Sequence, residues 1–575
     1  MRSGERMIRI GRIKGRPVLL VGLKIACTLL ALILVAGCAP SLPGIGAGSI
    51  RQALGTYNSS TTGTQDLGPA HSGKVSILLR LRDPGSSRLP LAVSRIYDPR
   101  SRYYGRFVKP ARFRSLYGPQ QAIVHRVHHY IARFRLTASA VSSNPWMTVQ
   151  GSANAIDRAF KAKVHRYLSA GKIYLNSAGQ PTVPSALRSD VLSVAPVTTA
   201  YLETQAVPGS GLSPTGIMNA YDISPLTQQG IDGAGQTVVF IEVDGIDESA
   251  LSAYAQKFHL PPFQYAIHGP QLKPGGEATM DLEVVHAIAP KARLVVYNLP
   301  VVDIFADLHQ QLSNLIVASQ GDIFSESLAI CARDDNQQNA QALQSAYAQA
   351  DAAGEAVFAA TGDSAAFGCI SQANTSPAAS AVSTMIPASC PGVTAVGGTR
   401  LSIRGNGSWY DETVWEDPLE TGGTGGGATH LYARPSWQRA PGIAYQDQRY
   451  NTSGMRLIPD VSADADPASG MTIDYPSGWA NGGGTSQATP IWAAITALID
   501  EYLVRHHHRS VGWLNPALYS LARSPQAYPP FHDVTVGTNL YYAAAKGYDM
   551  ATGLGTPDAW NLARDLARYQ SSNGR

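Results

Sequence analysis

Beyond about residue 203, apolar runs typical of buried strands alternate with stretches typical of helices. The runs QTVVFIEVDG, RLVVYNLP and AVFAATGDS predict strands, whereas ALSAYAQKFHL and ALQSAYAQADAAG predict helices, the second of which ends at a glycine. This alternation indicates a doubly wound parallel sheet of the α/β class. In such a sheet, side chains that carry chemistry collect at the carboxyl ends of the strands.

The stretch 73–202 has a different pattern. KVSILLRL and KVHRYLSAGKIYLN have strand-like patterns, and GPQQAIVHRVHHYIARF has the period of a helix. Strands surrounding helical segments predict an α+β domain of modest size. The hydrophobic pattern therefore divides this part of the chain into an α+β domain at 73–202 and an α/β domain at 203–575.

The first 38 residues have the pattern of a signal peptide. A basic start precedes the short apolar run IACTLLALILVAGC. Its last four residues, VAGC, resemble a bacterial lipobox, in which Cys38 becomes a lipidated N-terminus and attaches the chain to a membrane. The alternative is an ordinary signal peptide with a chance cysteine. Either way we expect an exported protein, a cell-envelope lipoprotein or a secreted one, in which 39–72 is a flexible linker rich in Gly, Ser and Thr.

Charge is distributed unevenly along the chain. The net charge is +6 for the leader, +16 for 39–202 and −17 for 203–575. A basic segment often binds nucleic acid, but here the nearest polyanion is the rest of the chain, so we expect no nucleic-acid partner. We expect the basic domain to dock on the acidic one as an intramolecular chaperone or inhibitor, by an attraction that acid weakens. The alternative is a basic domain that faces anionic lipid or cell wall.

The stretch NGGGTSQATP places three glycines before Thr485 and Ser486. A helical run follows, so Ser486 is predicted at a helix N-terminus, where unpaired N–H groups favour developing negative charge. We expect the glycines to leave room for a substrate backbone and Pro490 to begin the helix. The alternative interpretation is a simple helix N-cap.

A nucleophilic serine needs a base, and no histidine of the chain has a convincing setting. Two carboxyl groups in GGEATMDLEVVHAIAP, Glu277 and Asp281, are four residues apart and share one face of a predicted helix. If buried, the pair would share a proton, which suits an enzyme active in acid. Alternatively, both are exposed acids at a helix start.

Asp363 follows a predicted strand in AATGDSAAFG. A carboxylic acid held protonated at this position could donate a hydrogen bond to an oxyanion. The alternative is a turn residue that closes an Asx-turn.

Together these motifs resemble the sedolisin family, the serine-carboxyl peptidases that include kumamolisin. The likeness runs from about 210 to 565 and rests on GGGTSQATP, GGEATMDLEVVHAIAP, ATGDS, IPASCPGVTAVGGT, GGGATHLYARPSWQ and IPDVSADADPASG. The resemblance implies a subtilisin-like fold and hydrolysis of polypeptides through an acyl-enzyme. It also implies that Ser486 is the nucleophile, Glu277 the general base, Asp281 its partner and Asp363 the acid that stabilises the oxyanion.

The basic domain resembles the pro-kumamolisin activation domain. The likeness lies in YDPRSRYYGRFVKPARFRSLYGP, VQGSANAIDRAFKAKVHRYLSAGKIYLNSAG and VPSALRSDVLSVAPV. It implies that 73–202 is a ferredoxin-like prodomain of a zymogen and is removed on activation, with the cut predicted in ETQAVPGSGLSP.

The stretch FHDVTVGTNLYYAAAKGYDMATGLGTP resembles the calcium site of the family. The resemblance implies one structural Ca²⁺, bound by the side chains of Asp533 and Asp549 and by the carbonyl groups of Val534, Ala545 and Gly547. Ala545 stands where the family leads us to expect glycine, which matters little for a carbonyl ligand. Alternatively, the two aspartates only organise turns.

The chain departs from the family pattern around DIFSESLAIC. The family has a Ser-aliphatic-Ser-aromatic-Gly run there, whereas this chain has Glu326 in the strand and Leu328 and Ala329 after it, which affects predicted substrate contacts. Glu242 matches a family position that supports the catalytic acids. Of the cysteines beyond the leader, Cys331 and Cys369 both follow predicted strands and are the preferred disulfide.

Two other functions remain open. The chain could be an inactive, lipid-anchored relative that binds peptides or cell-wall material, or a subtilisin-like enzyme with a histidine base and neutral or alkaline activity. The complete set of four catalytic residues favours an acid-active serine-carboxyl peptidase.

Overall fold

The computed structural model describes residues 65–572, apart from 84, 140–144, 170–171, 198–206, 209–210, 300–303, 319–320, 333–335, 370–381, 418–421 and 477. The predicted signal peptide with Cys38, most of the predicted linker and much of the predicted cut region lie outside the described residues. Within the described part, no helix combines the length and the hydrophobicity needed to cross a membrane.

Residues 65–197 form the predicted α+β domain. The strands are β1 (Gln65–Pro69), β2 (Lys74–Leu81), β3 (Thr137–Ala138), β4 (Trp146–Ser152), β5 (Val164–Ser169), β6 (Lys172–Ser177) and β7 (Val191–Val194), and the α-helices are α1 (Leu89–Tyr97), α2 (Pro110–Tyr117), α3 (Gln121–Ala132) and α4 (Ala153–Phe160). Strand β1 lies in the stretch predicted as linker, yet it pairs antiparallel with β5. Residues 65–69 are therefore part of the prodomain structure.

The main prodomain sheet has the antiparallel order β3-β4-β2-β7. With a helix before β3 and another after β4, this is the ferredoxin-like βαββαβ arrangement. Side chains alternate along β2, so Ile77 and Leu79 join the core formed with α3 and α4. Leu78 points the other way and packs with Ala342 of the second domain. The sheet is thus covered on both faces.

The second domain contains the predicted α/β sheet. Its strands are β8 (Val207–Pro208), β9 (Thr237–Glu242), β10 (Tyr265–His268), β11 (Arg293–Asn298), β12 (Ile323–Glu326), β13 (Ile330–Cys331), β14 (Ala356–Ala360), β15 (Met385–Ile386), β16 (Thr394–Ile403), β17 (Trp409–Val414), β18 (Glu416–Asp417), β19 (Gly422–Gly423), β20 (Gly427–Ala433), β21 (Met455–Ile458), β22 (Val461–Asp464), β23 (Thr472–Tyr475), β24 (Gly478–Asn481), β25 (Phe531–His532) and β26 (Thr556–Pro557). Its helices are α5 (Pro214–Ala220), α6 (Ser224–Thr227), α7 (Glu248–Phe258), α8 (Glu277–Ile288), α9 (Ile304–Ala318), α10 (Gln337–Ala353), α11 (Ile443–Tyr450), α12 (Gly484–Arg505), α13 (Asn515–Ala522) and α14 (Ala559–Ser572).

The central sheet has the order β10-β11-β9-β12-β14-β16, with β22 and β17 both paired to β16. All these pairings are parallel except β16 with β17. The chain proceeds from β9 to β11 in one direction and from β12 to β22 in the other. The switch point between β9 and β12 is where ligands of such sheets bind.

Helices cover both faces of this sheet, which confirms the doubly wound, subtilisin-like prediction. On one face, Leu282 of α8 and Trp492 of α12 belong to the larger hydrophobic core. On the other face, Leu312 of α9 and Leu343 of α10 belong to a second core. Burial on both faces explains why the strand sequences are continuously apolar.

The prodomain meets the second domain through apolar packing and hydrogen bonds, among them those that the Arg509 guanidinium donates to the carbonyl groups of Tyr104 and Gly105. Tyr97 packs with Trp513 and Ala352. Its hydroxyl donates to the carbonyl of Asp351 at 2.8 Å and accepts from the backbone N–H of Trp513 at 3.0 Å. Among the described residues, every ion pair joins groups within one domain. Despite their opposite net charges, the two domains therefore form no ion pair with each other among the described residues.

The predicted disulfide is confirmed. Cys331 and Cys369 are bonded, with a Cα–Cα distance of 4.9 Å, whereas Cys390 is a buried thiol outside the bridge. The bond closes a loop of the chain that begins at β13, just beyond the carboxyl end of β12.

Candidate active site

Ser486 lies in the first turn of α12, as predicted, but the helix starts earlier than expected. It begins at Gly484, and Pro490 lies inside it. The prediction that Pro490 begins the helix is therefore wrong. The reason is tertiary: the Asp363 carboxylate accepts the Thr485 N–H at 2.8 Å, which caps the Gly-Thr-Ser turn from outside the local sequence.

The glycines before Ser486 are explained by the protein's own packing. Gly484 has φ +78°, and a Cβ there would stand 2.5 Å from Asp363 Oδ2. A Cβ on Gly483 would stand 2.5 Å from the Pro467 ring, and one on Gly482 would stand 2.3 Å from Gln487 Oε1. We expected glycines to make room for a substrate, whereas the structure requires them for close packing around the nucleophile's turn.

Asp363 follows β14 and is held firmly beside this turn. Its Oδ1 accepts both the N–H and the hydroxyl of Thr485, at 2.8 and 2.9 Å. The same hydroxyl oxygen accepts the N–H of Gly362 at 2.9 Å, which ties the loop to the helix. Asp363, the acid predicted to stabilise the oxyanion, therefore lies next to the turn of the predicted nucleophile Ser486.

The two carboxyl groups of α8 are buried, as expected for a pair that shares a proton, so the alternative of exposed acids at a helix start is excluded. Glu277 is 3% exposed and Asp281 is inaccessible. The Ser486 side chain lies close enough to the Glu277 carboxyl group to lower its pKa. Burial raises the pKa of Glu277 well above its usual value, and the neighbouring Asp281 raises it further. The structure thus brings together the predicted serine, base and partner.

Two more acids stand at the carboxyl end of β9. Glu242 is buried, and its pKa is raised by burial and then by the charge of Asp281. Asp244 was not singled out from the sequence. Its carboxylate accepts the N–H groups of Glu277 and Ala278, at 3.1 and 3.0 Å, at the start of α8. The only sequence signal for Asp244 is its position just after a strand at the switch point.

Ser327 was also missed by the sequence analysis. It follows β12, and its hydroxyl oxygen lies 2.6 Å from Asp281 Oδ2 and 3.1 Å from the backbone carbonyl oxygen of Ser486. The departures from the family pattern nearby point into the core. Leu328 belongs to the second hydrophobic core, and Glu326 accepts a hydrogen bond from the buried Tyr347 hydroxyl at 2.7 Å.

A histidine base finds no support at this site. His286 lies on the same helix as Glu277, but its Nε2 is 2.8 Å from the carbonyl oxygen of Pro261, and its ring packs on Phe263. Burial lowers the pKa of His286. The ionisable side chain that Ser486 influences is the Glu277 carboxyl group instead.

The predicted calcium ligands lie in one closed loop. Both oxygens of Asp533 are within 3.2 Å of the Gly547 N–H, and Asp549 Oδ2 accepts the Ala545 N–H at 2.9 Å. Val534 adjoins Asp533 and is buried. Burial raises the pKa of both aspartates, to about 7 for Asp549, and neither belongs to an ion pair among the described residues. Two partly or fully buried carboxylates without an ion-pair partner fit a hard cation.

Comparisons with known proteins identify relatives of this chain. Residues 60–200 match the family model "Pro-kumamolisin, activation domain" and residues 269–511 match "Subtilase family". The chain is 29% identical to kumamolisin of Bacillus sp. (strain MN-32) over 73% of this chain and 78% of that protein. It is 26% identical to sedolisin of Pseudomonas sp. (strain 101) over 88% of this chain and 89% of that protein.

A solved structure also resembles this chain in sequence and fold. The structure titled "Pseudomonas sedolisin (serine-carboxyl proteinase) complexed with two molecules of pseudo-iodotyrostatin" superposes with a TM-score of 0.54 at 27% identity, covering 65% of this chain and 100% of that one. The chain therefore belongs to the sedolisin/kumamolisin family and is a sedolisin-like serine peptidase with a pro-kumamolisin activation domain.

Proposed function

We propose that this protein is an acid-active serine-carboxyl peptidase, made as a self-processing zymogen, that cleaves polypeptides through an acyl-enzyme on Ser486. The observation that carries the proposal is that the Ser486 side chain lies beside the buried Glu277 carboxyl group, close enough to lower its pKa. A serine with a carboxylate base needs no histidine.

In the first step, Ser486 Oγ attacks the substrate carbonyl carbon while Glu277 takes the hydroxyl proton. The pair of acids on α8 is buried and mutually repelling, so it keeps one proton over a wide pH range. When Asp281 holds that proton, Glu277 carries the negative charge and can act as base. Asp363 in its protonated form then donates a hydrogen bond to the developing oxyanion.

In the second step, the C–N bond breaks and Glu277 returns its proton to the leaving amine nitrogen. The acyl group stays on Ser486 Oγ, and a water molecule repeats the sequence to release the second product. Asp363 and Asp281 both lose their protons as pH rises. Acid activity is the expected consequence.

Self-processing is supported by the segment that joins the two domains. Val207 and Pro208 pair antiparallel with Asn481 and Ala480 of β24. Strand β24 leads through the three glycines to Ser486. Residues 207–208 of the predicted cut region therefore lie beside the strand that leads to Ser486, and addition of an edge strand is a common way for proteins to bind a peptide.

We further propose that one structural Ca²⁺ binds the side chains of Asp533 and Asp549 and the carbonyl groups of Val534, Ala545 and Gly547. The ion would supply positive charge to carboxylates that burial otherwise disfavours. We also propose that the protein is exported and is then either lipidated at Cys38 or secreted. Its proposed partners are polypeptide substrates and its own prodomain.

The test compares the chain lacking residues 1–38 with its Ser486→Ala form, using an unfolded protein as substrate from pH 2 to 8. We expect turnover in acid and loss of the prodomain on a gel, both abolished by Ser486→Ala. Ser524→Ala, at an exposed serine, is the matched control. A calcium-bound, folded protein without turnover at any pH would instead indicate a peptide-binding relative.

A further inference from the structure

The backbone of the proposed nucleophile lacks its usual helical partner. In an α-helix the carbonyl of residue 486 accepts the N–H of residue 490, but Pro490 lies inside α12 and has no N–H. The Ser486 carbonyl oxygen therefore needs a donor from elsewhere. The Ser327 hydroxyl oxygen lies 3.1 Å away from it.

The same hydroxyl also contacts the partner acid. Ser327 Oγ is 2.6 Å from Asp281 Oδ2, a distance typical of an O–H···O hydrogen bond to a carboxylate. A serine hydroxyl has one proton, so it can donate to Asp281 or to the Ser486 carbonyl, but not to both.

We propose that Ser327 is a positioning residue that couples the protonation of Asp281 to the backbone of Ser486. The inference rests on the proposed function. When Asp281 is ionised, the Ser327 O–H donates to Asp281 Oδ2. When Asp281 is protonated, its O–H donates to Ser327 Oγ, and the Ser327 O–H turns to the Ser486 carbonyl oxygen. No covalent bond changes in this step except that Asp281 gains one proton.

The surroundings of Asp281 make this coupling a property of the acid pair. Among the described residues, the ionisable groups that affect the pKa values of the pair are carboxyl groups, namely Glu242 at the end of β9, Asp244 after β9 and Asp363 after β14. Asp244 raises the pKa of both Glu277 and Asp281, and Asp363 raises that of Glu277, so the pair holds its retained proton strongly. As that proton reaches Asp281, the turn that bears Ser486 gains a hydrogen bond and is fixed in place.

The first variant is Ser327→Ala. It removes the donor that stabilises ionised Asp281, and this charge-assisted bond is stronger than the uncharged bonds that are lost with it. We expect the alkaline limb of the kcat/KM profile to move upward by about one pH unit. Ser325→Ala is the matched control, because Ser325 is buried on β12, two residues before Ser327, and its hydroxyl has no hydrogen-bond partner among the described residues. That limb should stay unchanged in the control.

The second variant is Pro490→Ala, which gives the Ser486 carbonyl a helical N–H. Rotation of the Ser327 hydroxyl towards that carbonyl then no longer stabilises the protonated form of Asp281. The pKa of Asp281 should fall, so the alkaline limb of the kcat/KM profile should move to lower pH. Shifts in opposite directions distinguish coupling from simple damage to the site. Equal loss of rate at all pH values in Ser327→Ala, or shifts in the same direction, would overturn the proposal.

A readout without turnover separates this inference from the proposed function. The Ser486→Ala chain, labelled with ¹³C at aspartate carboxyl carbons, reports the titration of Asp281, whose signal is assigned by Asp281→Asn. We expect Ser327→Ala to raise that titration midpoint and Ser325→Ala to leave it in place. An inactive wild type would refute the proposed function, whereas an unmoved Asp281 midpoint would refute the coupling.

Discussion

Asp244 caps the helix that begins with Glu277: its Oδ2 accepts the Glu277 N–H at 3.1 Å. The carboxylate thereby satisfies N–H groups that no residue within the helix can satisfy. Its charge also raises the pKa of Glu277 and of Asp281. One side chain therefore contributes both to the stability of α8 and to the proton affinity of the acids on it.

The first prediction concerns Asp244→Asn. Removing the negative charge should lower the pKa of Asp281 and Glu277, because it relieves repulsion with their ionised forms. The pair then gives up its retained proton at lower pH, so the alkaline limb of kcat/KM should shift downward, on the order of one pH unit. The pH dependence of peptide hydrolysis measures this.

Asp247→Asn is the matched control for Asp244. Asp247 caps the neighbouring helix α7 by accepting the N–H groups of Ser249 and Ala250. It should cost little stability, because Asn caps a helix about as well as Asp, and it should not move the pH profile. If both variants move the profile equally, the effect of Asp244 is not electrostatic.

The second prediction concerns Asp363. Asp363→Ala should lower kcat by about 100-fold or more with little change in KM, because an oxyanion donor acts mainly in the transition state. Asp363→Asn should lose less, since an amide N–H can still donate. Steady-state kinetics at the acid optimum measure kcat and KM for both variants. A change confined to KM would show that Asp363 binds substrate rather than the oxyanion.

Some parts of this site could be predicted from the sequence because their signals are local. Ser486, Glu277 and Asp363 each adjoin a strand end or a helix start that the hydrophobic pattern reveals. The cap on α12 could not be predicted, because Asp363 supplies it from a turn more than a hundred residues earlier. The mistaken helix start at Pro490 follows from that missing contact.

The same limit applies to the contacts of Asp281. Its partners Ser327 and Glu242 come from β12 and β9, and only the strand order places them together. The positive charge of the prodomain did not indicate which residues make the described contacts between the domains. Its basic side chains are mostly exposed, whereas the described contacts between domains are made by residues such as Tyr97 and Trp513. The net charge of a domain depends on how many charged residues it has, whereas an interface is formed by the particular residues that become buried in it.

The third prediction uses Glu326, a buried acid whose pKa burial raises to about 8. The folded protein keeps this group protonated, whereas the unfolded chain ionises near the usual value. Its stabilising contribution is therefore complete below about pH 4.5 and is lost as pH rises towards 8. Glu326→Gln does not titrate, so between pH 4 and 7 it should lose about 3 kcal/mol less stability than the wild type.

Denaturant unfolding at the two pH values measures that difference. Glu416→Gln, at an exposed position of β18, serves as the control and should follow the wild type. A Glu326→Gln protein that loses stability in parallel with the wild type would contradict the assignment of this carboxyl group as a protonated core residue.

The fourth prediction tests calcium. Calcium should raise the thermal unfolding midpoint of the wild type relative to a sample in chelator, by the equivalent of about 2.7 kcal/mol at a hundred times the dissociation constant. Asp549→Ala should abolish this increment, whatever its effect on the baseline, and Asp411→Ala at an exposed position of β17 should keep it. A calcium increment that survives in Asp549→Ala would place the ion elsewhere.

The last prediction concerns how the prodomain is held. Tyr97→Phe leaves the Asp351 carbonyl and the Trp513 N–H buried without the hydroxyl that joins them, at a cost of about 1 to 3 kcal/mol for each unpaired group. In the full chain, the prodomain should therefore be lost at a less acid pH than in the wild type. Tyr103→Phe, at an exposed position of the same domain, should behave as the wild type.

The same gel assay separates packing from long-range charge. Because Tyr97, Trp513 and Ala352 form an apolar contact with uncharged hydrogen bonds, the pH midpoint of prodomain loss should change little between about 0.05 and 0.5 M NaCl. Attraction between the +16 and −17 parts of the chain would be screened over that range and would give a strong salt dependence. A midpoint that follows salt but ignores Tyr97→Phe would therefore show that net charge, and not this contact, holds the zymogen closed.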